Sequence, residues 1–419
     1  MKRIATLGLA TLVLAMTALL FVAGCSSSAP AASPTKAAEP AKSGSTAAPT
    51  AAPAAGATSA PAAASASGKA VAVKVGLITP LSGDVKTYGE SVKNSVELAI
   101  DEANKAGKVQ ISTVIADSKG DPTEGVNAFT KLANQDKVKA IIGPVISRVA
   151  IGVSESAQAA KVLMITPTGT APKVTVDGGK RKDYVFRSCF IDPFQGEVMS
   201  KFALTTLKSK TAAVVYDISN DYSKGLAETF KTAFEKGGGK VVGYESYGKD
   251  DVDFSAILTK IGSSNADALF LPDYYNRVNL IAKQAKEKGI KSVLLGVDGW
   301  DSAELDTKAT EGGYFSNHYS ADDTRPEVQA WTKKYQEKFK SVPDALATLG
   351  YDGTNLLVEA ITKAGSDDST KIRDAMAAIK DYKAVTGTLS FDKDGNPIKS
   401  AVVLQIKDGK QKYVQTVNP

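Results

Sequence analysis

From residue 71 onward, the chain alternates between short runs of Val, Ile and Leu and longer stretches in which apolar residues recur at helical spacing. Residues 92–103 have this spacing, as do the stretches that begin at Phe254 and Val278, and all three predict amphipathic helices. Strands that alternate with helices predict right-handed crossovers and parallel sheets covered on both faces. The apolar runs predict eight strands, at 73–79, 109–116, 138–143, 162–166, 212–217, 241–247, 268–271 and 293–296.

The pattern changes near the C-terminus. Residues 388–391, a turn at 392–396, and runs at 401–406 and 413–414 predict antiparallel hairpin strands. The alternating part and this tail together span about 345 residues, which is more than one doubly wound domain usually holds. We therefore expect an α/β protein with two lobes.

The N-terminus carries an export signal. Lys2 and Arg3 precede an uncharged apolar run that ends at Ala23, and this run alone fits either a transmembrane anchor or a signal peptide. The sequence 22–25, Val-Ala-Gly-Cys, resembles the lipobox of bacterial lipoproteins, in which the cysteine is diacylated and the chain is cut before it. We expect residues 1–24 to be a signal peptide and Cys25 to be lipidated, with the rest of the chain outside the cytoplasm. The alternative is an uncleaved helix with an incidental cysteine.

Residues 26–70 have a different composition from the rest of the chain. They include 19 Ala, 9 Ser and 6 Pro, with no aromatic residue and no Val, Ile, Leu or Met. Such a segment has too little apolar bulk to offset its chain entropy. We predict a disordered linker between the lipidated cysteine and a folded body.

The composition limits which partners, metal sites and catalytic groups this chain can have. The net charge of +6 is mild and shows no concentrated basic patch, so we expect no nucleic-acid partner. The chain has one histidine, His318, and two cysteines, Cys25 and Cys189. So few nitrogen and sulfur ligands argue against a zinc site, and no internal disulfide can form once Cys25 is acylated. We expect no metal and no cofactor. A thiol–imidazole pair of Cys189 and His318 stays open as an alternative, with a buried thiol and a structural histidine favoured over it.

Polar and aromatic side chains follow the predicted strands, at the edge where open α/β sheets bind ligands. Hydroxyls, aromatic rings and one or two carboxylates recur there, without an evident nucleophile–base pair, which is typical of a binding site. These segments are 79–83 with 88–89, 143–147, 166–170, 217–222, 273–275 and 298–300.

The same segments resemble the leucine/isoleucine/valine-binding family of ABC-transporter substrate-binding proteins, a group of type I periplasmic binding proteins. The resemblance extends in order over nearly all of 71–410. Its markers are 75–83 (Val-Gly-Leu-Ile-Thr-Pro-Leu-Ser-Gly), Tyr88-Gly89, Asp117 to Pro122, Ile141 to Pro144, Thr166-Pro167, Phe186-Arg187, Gln195-Gly196, Asp253 to Ser255 and Gly350 to Asp352.

The resemblance implies two Rossmann-like lobes with parallel sheets, joined by three hinge crossovers near 190, 318 and 388, and some antiparallel strands at the C-terminus. The N-terminal lobe would comprise 71–190 plus 319–388, and the C-terminal lobe 191–318 plus 389–419. The resemblance also implies a monomer that is not an enzyme. Such a protein captures a small ligand, here an amino acid of branched-chain or other type, and delivers it to ABC permease subunits. It would do so while lipid-anchored on the outer face of the cell membrane.

The family's ligand contacts map onto seven residues. Tyr88 would form an aromatic wall, while Ser147, Thr168 and Thr170 would bind the ligand carboxylate. Tyr222 and Tyr274 would be aromatic residues of the second lobe, and Asp298 would pair with an α-ammonium group. Each of these residues also has a purely structural interpretation. Asp298-Gly299 fits a simple turn, Ser147 and Thr170 fit helix caps, and the tyrosines fit packing between the lobes.

Two departures from the family pattern leave the ligand open. Members that bind amino acids commonly have glutamate where Asp298 stands, and a small residue is common at position 168. A short amide or an aromatic acid remains an alternative ligand. A ligand sensor on the same fold, or an enzyme that uses Cys189 or His318, remains an alternative function.

Overall fold

A computed structural model describes residues 70–419, and the predicted signal peptide, Cys25 and nearly all of the predicted linker lie outside the described residues. Ten helices are described, with two short 3-10 turns at Pro172–Val174 and Asp298–Trp300. The helices are α1 Lys86–Ala106, α2 Pro122–Asn134, α3 Ser147–Ala160, α4 Asp192–Thr205, α5 Asp221–Lys236, α6 Ser255–Ser264, α7 Tyr275–Glu287, α8 Pro326–Phe339, α9 Ala345–Ala364 and α10 Ser369–Ala377.

Sixteen strands are described in the same part of the chain. They are β1 Val71–Thr79, β2 Val109–Asp117, β3 Ala140–Ile142, β4 Leu163–Thr166, β5 Val176–Asp177, β6 Lys180–Arg181, β7 Val185–Arg187, β8 Thr211–Asp217, β9 Lys240–Tyr247, β10 Ala268–Phe270, β11 Val293–Gly296, β12 Tyr314–Asn317, β13 Tyr382–Ala384, β14 Gly387–Leu389, β15 Ala401–Lys407 and β16 Lys410–Val417.

The first lobe is built on a parallel sheet in the order β2-β1-β3-β4-β7. Val75 and Leu77 of the inner strand β1 are fully buried and pair with Ala140 and Ile142 of β3. Helices cover both faces, which explains why these strands are almost continuously apolar. Asp121 caps α2 by accepting hydrogen bonds from the backbone N–H groups two and three residues on, and Asp344 caps α9 by accepting one from the N–H three residues on.

The second lobe is built on a seven-stranded sheet in the order β16-β15-β12-β11-β10-β8-β9. Strands β8 to β12 run parallel, while β15 pairs antiparallel with both β12 and β16. Phe230 and Phe270 stack with ring centroids 4.1 Å apart in its core. The predicted α/β class, with antiparallel strands near the C-terminus, is confirmed.

The chain passes between the lobes three times: between β7 and α4, between β12 and α8, and between β14 and β15. Helices α8, α9 and α10 return to the first lobe, where α9 packs along α1. A single compact unit contains both lobes. The exact domain bounds given above stay predictions.

The predicted hairpin around the turn at 392–396 is reduced to one antiparallel bridge, between Phe391 and Pro397. Residues 387–389 pair with β13 through the tight turn Val385-Thr386, not with the run at 401–406. The carboxylate of Asp352 fixes this turn, because it accepts hydrogen bonds from the backbone N–H groups of Val385 (2.9 Å) and Thr386 (3.0 Å). The apolar pattern had not indicated β12, whose sequence Tyr-Phe-Ser-Asn mixes buried polar and apolar residues.

Within residues 70–419, none of the helices has the length and apolar character needed to cross a membrane.

Candidate functional site

A small cavity lies between the two lobes, at the carboxyl ends of their strands. Its free volume is about 20 Å³, the space of roughly one water molecule, so the two walls lie almost in contact. Six of the seven predicted ligand contacts line it, and Thr170 does not. The lining residues are Tyr88, Val145, Ile146, Ser147, Thr168, Tyr222, Tyr274, Asp298, Gly299 and Leu346.

Strand ends place these side chains. Ser147 is the first residue of α3, which follows β3, and Thr168 lies two residues after β4. On the opposite wall, Tyr222 is in the first turn of α5 after β8, and Asp298 opens the 3-10 turn after β11. Because parallel strands end at the same edge of each sheet, residues far apart in sequence converge on the cleft.

The first-lobe wall is rich in hydroxyls held by the backbone. The Thr168 hydroxyl donates to the carbonyl oxygen of Val145 at 2.5 Å, and the Ser147 hydroxyl accepts from the N–H of Ala171 at 3.2 Å. Behind this wall, the fully buried Arg187 donates to the carbonyl oxygens of Gly169 (2.7 Å) and Ala171 (3.1 Å). The loop that carries Thr168 is therefore fixed by a charged side chain that does not itself enter the cavity.

Thr170 lies behind this loop. Its side chain is fully buried, and within the described residues its hydroxyl has no hydrogen-bond partner. Its carbonyl oxygen accepts from the N–H of Asp192 at 3.1 Å, which ties the loop to the start of α4. Its predicted role as a ligand contact stays a prediction, although the structure places it outside the cavity lining.

Aromatic rings form the sides of the cavity. Tyr222 and Tyr274 stack with centroids 4.9 Å apart, and Tyr88 meets Tyr274 edge-on at 5.9 Å. The Tyr88 hydroxyl donates to the carbonyl oxygen of Gly299 across the cleft. Position 299 requires a residue without a side chain, because a Cβ there would lie 2.7 Å from the Tyr222 hydroxyl oxygen.

Asp298 is the acidic group of the cavity, and three donors contact it. The Tyr222 hydroxyl (2.6 Å) and Gln195 Nε2 (3.1 Å) donate to Oδ1, while His318 Nε2 lies 3.1 Å from Oδ2. Burial and the neighbouring Asp298 raise the pKa of Tyr222 far above its usual value, so this hydroxyl stays a donor. Among the described residues, no lysine or arginine forms an ion pair with Asp298. The carboxylate is thus oriented by hydrogen bonds without a cationic side chain to balance its charge.

His318 and Cys189 do not form a nucleophile–base pair. Burial lowers the pKa of His318 to about 4, and its ring stacks on Phe190 with centroids 3.6 Å apart while its Nε2 faces Asp298. Burial raises the pKa of Cys189 to about 12, so the thiol stays protonated and weakly nucleophilic. Both residues belong to the crossovers between the lobes.

The sequence interpretation missed several residues of this site. Gln195 was noted only as a family marker, yet its amide also donates to the buried Asp192, at 3.2 Å. Burial raises the pKa of Asp192 to about 8. Nothing in the sequence indicated that the apolar residues Val145, Ile146 and Leu346 line the cavity, although the first two lie in a segment predicted to follow a strand.

The lobes contact each other around the cavity, so the cleft is closed. The hydroxyls of Thr87 and Ser302 lie 3.0 Å apart, and Lys173 pairs with Asp221 at 2.8 Å. The Tyr275 hydroxyl donates to the carbonyl oxygen of Asp84 at 3.0 Å. A ligand enters and leaves such a cavity only when these contacts separate.

Known proteins resemble this chain over most of its length. Residues 72–411 match a periplasmic binding protein family. A Leu/Ile/Val-binding protein homologue of Brucella melitensis is 33% identical over 77% of this chain and 88% of its own. A leucine-, isoleucine-, valine-, threonine- and alanine-binding protein of Pseudomonas aeruginosa is 30% identical over 78% of this chain and 87% of its own.

Solved structures show the same fold. A leucine-binding protein of Thermotoga maritima has a TM-score of 0.78 and 35% identity, and it covers 83% of this chain and 99% of its own. A branched-chain amino acid substrate-binding protein of Streptococcus pneumoniae, in complex with isoleucine, has a TM-score of 0.77 and 32% identity over 83% of this chain and 100% of its own. Taken with the closed cleft between two parallel sheets, these matches show that the chain belongs to the type I periplasmic binding proteins of the Leu/Ile/Val-binding kind, a family of solute-binding proteins and not of enzymes.

Proposed function

We propose that this protein captures an α-amino acid with an aliphatic side chain between its lobes and delivers it to an ABC permease. The observation that carries the proposal is Asp298, a buried carboxylate with three uncharged donors and no cationic partner among the described residues. Burying such a charge is costly unless a cation balances it, and the ammonium group of a ligand supplies one.

The rest of the cavity suits the other parts of an amino acid. The Ser147 hydroxyl and the N-terminus of α3 suit the ligand carboxylate, and the Thr168 hydroxyl would join them by turning its proton from the Val145 carbonyl oxygen to the ligand. Val145, Ile146 and Leu346 supply apolar surface for the side chain. The T. maritima protein is a leucine-binding protein, and the S. pneumoniae protein is in complex with isoleucine. Both support a branched-chain amino acid as the ligand.

An aromatic acid is the second candidate. A solute-binding protein of Rhodopseudomonas palustris in complex with benzoate is 26% identical to this chain, with a TM-score of 0.75. Benzoate has no cationic group, so Asp298 would remain without a charge partner and would repel the ligand anion. This electrostatic difference favours the amino acid.

Closure of the lobes is the proposed transport step. The open form would bind ligand on the first lobe, and contacts such as Tyr88 to Gly299 would form as the second lobe closes. Ligand stabilises the closed form only to the extent that it binds that form more tightly. The closed monomer would then dock on the permease. A sensor that presents the same closed form to a signalling receptor is the alternative.

We also propose that a lipid at Cys25 anchors the protein to the outer face of the cell membrane. The lipobox-like sequence before Cys25 supports this. Cells that express the Cys25→Ser variant should release the protein from the membrane fraction and lose label from a fatty-acid probe, whereas Cys189→Ser should change neither. Equal labelling of the Cys25→Ser variant and the parent protein would refute the anchor.

A ligand panel tests the proposed function. We expect leucine, isoleucine or valine to raise the melting temperature, because a ligand at 100 times its dissociation constant adds about 2.7 kcal/mol to the free energy of unfolding. Benzoate and small amides serve as competing candidates in the same panel. A response to benzoate without any response to an amino acid would overturn the proposal.

A further inference from the structure

His318 contacts Asp298 but does not line the ligand cavity. Its Nε2 lies 3.1 Å from Asp298 Oδ2, and its side chain is about 1% exposed. We propose that His318 is a positioning residue for ligand recognition: its Nε2–H group holds the Asp298 carboxylate in the orientation that accepts a ligand ammonium. This inference rests on the proposed function, since it names a residue that acts through the proposed ammonium acceptor.

The protonation of the ring follows from its surroundings. Burial lowers the pKa of His318, so the ring is neutral near pH 7 and carries one N–H. Oxygen Oδ2 of a carboxylate only accepts, which places that proton on Nε2. Within the described residues, Nδ1 has no hydrogen-bond partner, so no other contact of the ring favours the opposite tautomer.

Packing fixes the ring at both sides of the hinge. Phe190, at the first crossover, stacks on it with an angle of 26° between the planes. At the second crossover, the backbone N–H of His318 donates to Asn317 Oδ1 (2.9 Å), and Asn317 Nδ2 donates to Asp301 (2.8 Å). A ring held in this way gives Asp298 a stationary donor, whereas a flexible side chain would lose rotamer freedom each time it bound.

The two carboxylate oxygens have different partners. Tyr222 and Gln195 both donate to Oδ1, and His318 is the only side-chain donor to Oδ2 recorded among the described residues. Each carboxylate oxygen accepts about two hydrogen bonds, so Oδ2 keeps capacity for an ammonium. Loss of the His318 donor would let the carboxylate rotate about its last bond and weaken binding of the ammonium specifically.

Three variants of the full chain test this inference against two ligands. L-leucine carries the ammonium, and 2-hydroxy-4-methylpentanoate has a hydroxyl in its place but the same carboxylate and side chain. We expect His318→Leu to weaken leucine binding about 10- to 100-fold while hydroxy-acid binding changes less than about threefold. His318→Gln, whose amide reaches the position of Nε2, should restore leucine affinity to within about threefold of the parent protein. His318→Asn, whose amide reaches only the position of Nδ1, should not.

The outcomes separate this inference from the proposed function. Equal losses for both ligands, or equal affinities of the Gln and Asn variants, would overturn the positioning role and leave amino-acid capture intact. If His318→Leu does not fold, the comparison of the Gln and Asn variants decides alone. Failure of the parent protein to bind leucine or any other α-amino acid would overturn the proposed function itself, and the positioning role with it.

Discussion

Asp298→Ala is expected to reduce the affinity for α-amino acids by about 100- to 1,000-fold. The variant removes the charge partner of the ligand ammonium inside a closed cavity, where water does not replace it. It also leaves the donors of Tyr222, Gln195 and His318 without their acceptor, so the free energy of unfolding should fall by about 1–3 kcal/mol. Titration calorimetry well below the melting temperature measures the affinity separately from stability.

A matched control for this variant is Glu235→Ala. Glu235 lies on α5 in the same lobe, is exposed, and pairs with Lys231 on the same helix. Its removal should leave amino-acid affinity unchanged, because a surface ion pair contributes little. An Asp298→Ala protein that binds leucine as tightly as the parent would refute the assignment of Asp298 as the ammonium acceptor.

Asp352→Ala is expected to reduce the free energy of unfolding by about 3–5 kcal/mol. The carboxylate accepts from the N–H groups of Val385 and Thr386 and from the Thr386 hydroxyl at 2.7 Å. That hydroxyl in turn accepts from the buried Lys399, whose pKa burial lowers to about 8. Removing Asp352 therefore leaves the tight turn without its acceptor and the buried Lys399 without the balancing charge of that carboxylate.

The double variant Asp352→Ala, Lys399→Met is the control for this effect. If the cost arises from an uncompensated buried charge, replacing Lys399 as well should recover part of the lost stability, and the two effects should not add. Urea unfolding of the parent, both single variants and the double variant measures the coupling. A loss below about 1 kcal/mol for Asp352→Ala, or strictly additive effects, would contradict the account of this network.

The alternation of apolar runs and amphipathic stretches was sufficient to predict the α/β fold, because parallel strands buried on both faces must be apolar. Six predicted site residues were found at one cavity for a related reason, since open sheets bring their strand ends together. The strand β14 was paired incorrectly because its partner is chosen by Asp352, a residue over 30 positions away on α9. No local pattern carries that information.

The contacts of Asp298 could also not be predicted from the sequence. The sequence favoured a structural role for His318 and offered Gln195 only as a family marker, because these residues approach Asp298 from the second crossover and from the first turn of α4. Only the path of the chain between the lobes brings these residues together. The same path buries the Thr170 hydroxyl behind its loop rather than in the cavity.

The central claim is that an α-amino acid lies between the lobes with its ammonium on Asp298. A crystal structure of the protein with L-leucine tests it most directly. We expect the ammonium nitrogen about 2.7–2.9 Å from a carboxylate oxygen of Asp298 and the ligand carboxylate beside Ser147 and Thr168. Leucine bound outside this cavity, or bound inside it with its ammonium turned away from Asp298, would contradict the claim.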